Sequence, residues 1–261
     1  MSLALGPHRV DGLYTGPLLL DGGAAFGRIP REAWSRLAAV DSNGTVAFAH
    51  RSLVVRTGKR VILVGAGGEP ARFDQELARL GLGAGAVTDV ILARVTRDHA
   101  GALVRGGEPT FPAATVHLQR RQWAWAHHPS DLDETRYSPP LLDALEASGR
   151  LHLIEGETEL FAGVSVMLSE GHTVGQQLVR VGDTRWLTFA GALVPTSAHL
   201  KPAWVSALDL YPLTTVEEKK MLVAETLEED GMLFFEHDPR VAAGRLREEE
   251  GGIAAVPVEL S

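Results

Sequence analysis

The chain has no cysteine among its 261 residues. Disulfides and thiolate metal ligands are therefore excluded, although this alone does not fix the compartment. No apolar run approaches the roughly 20 residues needed to span a bilayer. The opening Met1-Ser2-Leu3-Ala4-Leu5-Gly6-Pro7 lacks the basic start and the long apolar run of a signal peptide. These features predict a cytoplasmic protein without a membrane partner. No Ser/Gly-rich or charge-only stretch reads as a linker, and no internal repeat is visible, so one domain over residues 1–261 is expected. A dense Lys/Arg stripe is missing too. With 25 basic against 33 acidic residues the formal net charge is −8, which disfavours nucleic acid as a partner because phosphate neutralisation dominates that affinity.

Several catalytic motifs are also missing. Gly67-Gly68 and Gly106-Gly107 are followed by no Lys-Ser/Thr and open no G-x-G-x-x-G helix, so they read as turns. No G-x-S-x-G elbow exists, which argues against a serine hydrolase.

What is present is an ordinary globular composition, 45% hydrophobic and 22% charged, with a strand-rich opening. Arg9 to Leu20 is β-prone and ends at a turn, Asp21-Gly22-Gly23. Thr45 to Arg56 reads as a long strand that turns through Gly58 into Val61–Val64, apolar throughout and so covered on both faces. Arg72 to Leu80 has helical spacing, with Phe73, Leu77 and Leu80 on one face. Strands are expected at Val90–Leu92 and Thr115–Leu118, then a helix through Gln119 and Ala126. Trp123 and Trp125, two apart on that helix, face different ways, so at least one is packing and the other is free to line a cleft. His127-His128 resembles a metal pair, but adjacent side chains diverge. His127 to Pro140 is polar and proline-bounded and reads as a lid-like excursion, followed by a helix from Leu141 to Ser148. Further strands are expected at Leu151–Ile154, Val164–Leu168, Gln177–Val181, Trp186–Phe189 and, as the last, Leu233–Phe235. Thr214-x-x-Glu217 predicts a capping box for a helix over Val216–Glu229, with Gly231 as its C-cap. The acid-rich ends Glu228–Asp230 and Glu248–Glu250 read as solvated surface. This order predicts an α/β fold of two packed sheets with helices outside.

The chemistry concentrates after the strand at Val90–Leu92. There Ala93-Arg94-Val95-Thr96-Arg97-Asp98-His99 has an Asp-His pair on a loop leaving a buried strand, a place where ligands and catalytic groups collect. Single histidines follow two later strands: His172 in Glu170-Gly171-His172-Thr173-Val174-Gly175, and His237 in Phe234-Phe235-Glu236-His237-Asp238-Pro239. Histidine and aspartate from distant strand ends are the ligands of hydrolytic zinc, which lowers the pKa of its bound water to about 7.

These motifs, in this order, resemble the metallo-β-lactamase superfamily, whose first motif is T-H-x-H-x-D-H. Leu20-Asp21-Gly22-Gly23, Pro195-Thr196-Ser197-Ala198-His199-Leu200 and Asp209-Leu210-Tyr211-Pro212-Leu213-Thr214-Thr215 resemble its lactonase branch, which includes the acyl-homoserine lactonases. The resemblance runs from about residue 17 through the second half. It implies a four-layer αβ/βα sandwich.

Carried over position by position, the resemblance also shows losses. Arg94 and Thr96 stand where one zinc takes two histidines, leaving only His172 of that set. Ala192, after Gly191, stands where an aspartate bridges both metals. Gly65, in Val64-Gly65-Ala66-Gly67, replaces a supporting aspartate. Asp98, His99 and His237 match the second zinc's ligands. Two readings stay open. In one, those three residues hold a single divalent metal, zinc first, and support lactone or ester hydrolysis. Asp98 and His172 are then the catalytic residues, His172 being a fourth ligand or transition-state donor, with Asp238 or another acid as base. In the other, the protein is a non-catalytic binding or regulatory relative. In both, Arg94 is a permanent cation that pairs with Asp98 or an anionic ligand. His199 matches a substrate-binding position, although a lone histidine after a turn reads more simply as surface. The expected partner is a small molecule. The branch's extra N-terminal segment implies a possible homodimer.

Overall fold

The computed structural model describes residues 2–260. The first half of the chain builds a seven-stranded sheet. Strands β1 (Leu3–Leu5), β2 (His8–Asp21), β3 (Thr45–Thr57) and β4 (Arg60–Val64) pair antiparallel, with helices α1 (Gly22–Phe26) and α2 (Arg31–Trp34) between β2 and β3. The sheet then turns parallel. Helix α3 (Pro70–Arg79) leads to β5 (Asp89–Ile91). Helix α4 (Arg97–Ala100) and a small hairpin, β6 (Val104–Arg105) with β7 (Glu108–Pro109), lead to β8 (Thr115–Gln119). Helices α5 (Arg120–His127) and α6 (Pro139–Ala147) lead to the edge strand β9 (Leu151–Ile154).

The second half repeats the plan. Strands β10 (Thr158–Phe161), β11 (Val164–Ser169), β12 (Gln176–Val181) and β13 (Leu187–Phe189) are antiparallel neighbours. Helix α7 (Pro212–Glu228) then crosses to β14 (Met232–Phe234), parallel to β13, and β15 (Ala243–Glu249) with β16 (Gly252–Pro257) close the second seven-stranded sheet.

The burial pattern fixes the layers. Val64, Ile91, Phe189 and Phe234 meet between the sheets. Phe73 and Leu77 of α3, with Leu142 of α6, cover the outer face of the first sheet through Leu118 and Val90. Leu222 and Val223 of α7 cover the second through Leu178 and Leu233. Each such side chain, fully withdrawn from water, contributes about 1.5–3 kcal/mol. The result is helix, sheet, sheet, helix: the four-layer αβ/βα sandwich. Among the described residues no helix is long and apolar enough to cross a membrane.

Local differences from the sequence reading have local causes. Asp21-Gly22-Gly23 is no bare turn: Asp21 caps α1, its Oδ1 accepting from Ala24 N at 2.9 Å. Helix α7 starts at Pro212 without a side-chain cap, so the Thr214–Glu217 box does not form; Pro at the first position sets the start, and Glu217 pairs with Lys220 instead. At its far end Asp230, φ +50°, takes the left-handed position expected of Gly231. Gly231 is required for another reason, since a Cβ there would lie 2.4 Å from the Trp186 ring. Leu233–Phe235 does not end the sheet. Strands β15 and β16 follow, and their polar, half-exposed residues hid them. Trp123 and Trp125 both pack against the outer core, and His127 and His128 are exposed at the end of α5.

Candidate functional site

The loops that carry the expected site residues all leave the carboxyl ends of strands, where layered α/β folds gather ligands. Arg94, Asp98 and His99 follow β5, His172 follows β11, Ala192 follows β13, and Glu236 and His237 follow β14. The structure brings them together. It adds Glu236, Arg136 and Asp209, which the sequence reading gave no role.

The centre is the side chain of Arg94, 1% exposed. Its Nη1 donates to Glu236 Oε2 at 2.9 Å and its Nη2 to Asp98 Oδ2 at 2.6 Å. The same Nη2 points at His237 Nε2, 3.3 Å away. His237 Nδ1 donates to the Ala49 carbonyl at 3.0 Å, which leaves Nε2 as the lone-pair nitrogen facing the guanidinium. His99 is fully occupied: Nε2 accepts from Ala93 N at 2.9 Å, so Nδ1 carries the proton and donates to Glu236 Oε1 at 2.5 Å. Glu236 thus bridges the cation and the imidazole.

A second cluster adjoins it. His172 Nδ1 donates to Asp209 Oδ1 at 2.7 Å, and its Nε2 accepts from Arg136 Nη2 at 2.8 Å. Arg136 also lies 3.9 Å from Asp98 Oδ1. It comes from the polar segment expected to be a lid. That segment is pinned: buried Asp133 accepts from Trp125 Nε1, Ser130 Oγ and Tyr137 Oη, and Tyr137 Oη meets Thr173 Oγ1 at 3.0 Å.

Electrostatics follow from burial and pairing. Burial opposes ionisation of Glu236 and Asp98, yet Arg94, helped by His99 and His237 for Glu236 and by Arg136 for Asp98, holds both well below the usual carboxylate range. Burial acts the other way on Arg94, and the same two carboxylates outweigh it, raising its pKa. His172 is pushed down to about 4 by burial and then by Arg136, so it is neutral at pH 7. Burial lowers His237 as well.

Above these groups lies a cavity of about 270 Å³. Leu18, Leu20, Phe48 and Leu208 form its apolar wall, and Arg94, Asp98, His172 and His237 its floor. Ala192 contributes only a methyl group to the lining. Thr96 is buried off this lining, its hydroxyl without a partner. His199 is not a surface residue. It is 1% exposed and stacks on Phe26, with Thr196 Oγ1 and the Ala25 carbonyl satisfying its two nitrogens. Burial and then Lys219 push it down to about 4. Asp238 is no free base either: its carboxylate accepts from Ser197 N and Oγ and from the amides of Arg240 and Val241.

No family model and no curated protein sequence matches the chain. Solved structures do. A probable metal-dependent hydrolase from Staphylococcus aureus superposes with a TM-score of 0.89 over 98% of this chain and 99% of its own, at 22% identity. AidC, a dizinc quorum-quenching lactonase in complex with a product, matches with a TM-score of 0.84 over 100% and 98%, at 18% identity. The hydrolase AbOPH of the beta lactamase superfamily gives 0.85 over 100% and 97%, also at 18%. The chain has the metallo-β-lactamase fold.

In this metallo-β-lactamase fold the donor atoms that a divalent ion would need are engaged by other groups of the chain. Asp98 Oδ2 and His237 Nε2 converge on one atom, and that atom is Arg94 Nη2. Both His99 nitrogens are committed, and His172 Nε2 is taken by Arg136. Among the described residues no group of three or more His, Asp or Glu side chains is arranged to hold a metal. Glu236 was missed in the sequence because it sits beside a motif histidine. The available signal was a carboxylate ending an apolar strand in a chain with an arginine after another apolar strand, at position 94, since buried charges come in pairs.

Proposed function

We propose that the protein is a non-hydrolytic member of this fold that binds a small, largely apolar molecule in the cavity above Arg94. The observation that supports this most directly is the guanidinium at the common focus of Asp98 and His237. A guanidinium is never deprotonated in proteins. It holds charge, as a metal does, but has no open coordination position and cannot lower the pKa of a water. The remaining groups also lack an activated nucleophile. His172 is held neutral by burial and Arg136, which outweigh Asp209, and its basic nitrogen already accepts a hydrogen bond.

What remains is a binding pocket. The charges on its floor are paired with one another, although Arg94 Nε and Arg136 Nη1 have no hydrogen-bond partner, so a ligand finds carbon on the walls and a few free donors below. The fold neighbours include a probable metal-dependent hydrolase and a dizinc lactonase, and in this chain the focus of Asp98 and His237 is filled by a guanidinium instead. The test is metal content and turnover measured on the same sample. Protein expressed in zinc-supplemented medium and purified without chelator is expected to carry well under one metal per chain and to leave N-hexanoyl-homoserine lactone intact. It is expected to bind 1-octanol in calorimetry. Stoichiometric metal lost on His237→Ala, together with lactone hydrolysis, would overturn the reading in favour of a mononuclear hydrolase.

A further inference from the structure

Outside the lining of this pocket, four polar side chains cross four neighbouring strands of the first sheet. Arg60 on β4 donates to Asp89 Oδ2 on β5 at 2.8 Å. Asp89 Oδ1 takes the Nε2 proton of His117 on β8 at 2.9 Å. His117 then faces His152 on the edge strand β9, its direct partner in the register, with the two Nδ1 atoms 3.0 Å apart. Asp89 and His117 are buried and His152 is exposed.

The tautomers follow from the chain of donors. The bonds from His117, Thr88 and Arg60 overcome the burial of Asp89 and lower its pKa, so it is an anion that can only accept. His117 therefore donates from Nε2, and its Nδ1 meets His152 Nδ1 at 3.0 Å in a hydrogen bond that holds a single proton between the two rings. A carboxylate behind one imidazole nitrogen, with the other nitrogen facing a second histidine, is the arrangement that orients metal-binding histidines.

We infer that His117 and His152 form a two-histidine site for a late first-row transition metal, copper(II) foremost, at the open edge of the sandwich. With metal–nitrogen bonds of about 2.0–2.1 Å, nitrogens 3.0 Å apart subtend about 95° at the ion. That angle suits two cis positions of a square-planar or octahedral ion better than tetrahedral zinc, and imidazole affinity peaks at copper(II). The ion replaces the hydrogen bond between the two rings: the proton of that bond leaves His152 Nδ1 as the exposed ring takes its Nε2-protonated form and turns, so that both Nδ1 lone pairs reach the ion. Solvent fills the other positions. Arg60 adds little repulsion because Asp89 neutralises it and Phe161 takes its guanidinium face.

The experiment is calorimetric titration of tag-free protein with copper(II) in a weakly coordinating buffer, paired with electron paramagnetic resonance. One ion per chain is expected, with nitrogen couplings from two imidazoles. His152→Ala is expected to abolish that binding, and because His152 is exposed the variant should fold normally. Asp89→Asn should weaken binding roughly tenfold, as loss of a partner behind a ligand does. A control variant, His127→Ala/His128→Ala, should bind as the wild type does. Unchanged copper binding in His152→Ala, or loss confined to the control, would overturn the proposal.

Discussion

Arg94 and Glu236, 142 positions apart, meet at 2.9 Å where neither reaches solvent. Glu236 uses its other oxygen on His99, and Arg94 its other terminal nitrogen on Asp98. One guanidinium thus serves two carboxylates, with Arg136 3.9 Å from Asp98 as the nearest further cation. Such an arrangement adds little net stability over an apolar replacement, but half of it alone is costly.

This asymmetry gives a mutational cycle. Arg94→Met leaves buried Glu236 without its cation and half-buried Asp98 with only Arg136 nearby, and should cost about 3–5 kcal/mol. Glu236→Gln should cost less, because Asp98 still faces Arg94. In Arg94→Met/Glu236→Met the second substitution should recover much of the first loss. Urea unfolding measures all of these. Additive losses would show that the two side chains are not coupled.

Acid should destabilise the protein well above the usual carboxylate range. His172 and His199 have folded pKa values of about 4, against about 6.5 in an unfolded chain. Their stabilising contribution is complete above pH 6.5 and is lost as pH falls toward 4, because the unfolded chain takes up protons first. Each contributes a slope of about 1.4 kcal/mol per pH unit in that window. Asp98 and Glu236, both lowered, extend the loss to more acid pH. Melting temperatures between pH 8 and 4 provide the check. A flat profile from 6.5 to 4.5 would contradict the buried, neutral state of both histidines.

The layers of the fold were legible because apolar periodicity marks strands and helices whatever the chemistry at their ends. Strands β15 and β16 were not, since a half-exposed hairpin carrying Arg245, Arg247 and Glu249 has no such signature. For the site, sequence order located Arg94, Asp98, His99, His172 and His237 at strand ends. It did not reveal that the guanidinium would take the position between Asp98 and His237, because that depends on side-chain reach. Arg136 was hidden for a related reason. Its segment is polar by composition, and only the buried Asp133 network fixes where the arginine points.

Gly65 offers a sharper separation of two effects. It has φ +77°, and a Cβ there would lie 3.0 Å from His99 Cε1. Gly81, φ +72°, has nothing within 4 Å. Gly81→Ala should cost only the backbone strain, roughly 1–2 kcal/mol. Gly65→Ala should cost more, because His99 is locked between Ala93 and Glu236 and cannot retreat. Equal losses in denaturant unfolding would mean that His99 yields freely. The same crowding predicts that a Gly65→Asp replacement disrupts this pocket floor.

Arg136 should set both the shape of the pocket and the basicity of His172. Its Nη2 donates to His172 Nε2, and its charge is the largest influence lowering that imidazole after burial. Arg136→Gln keeps a possible donor and removes the charge, so the His172 pKa should rise from about 4 toward its ordinary value, followed by NMR titration of the ring protons. Asp133→Ala acts one step further back. It removes the acceptor that holds Trp125, Ser130 and Tyr137 together. The segment should then open, expose the Arg136–Tyr137 bond to trypsin, and weaken binding of 1-octanol, since Thr135 and Arg136 line the cavity. A variant that stays as trypsin-resistant as the wild type would show that packing of Tyr137, rather than the Asp133 network, holds this wall in place.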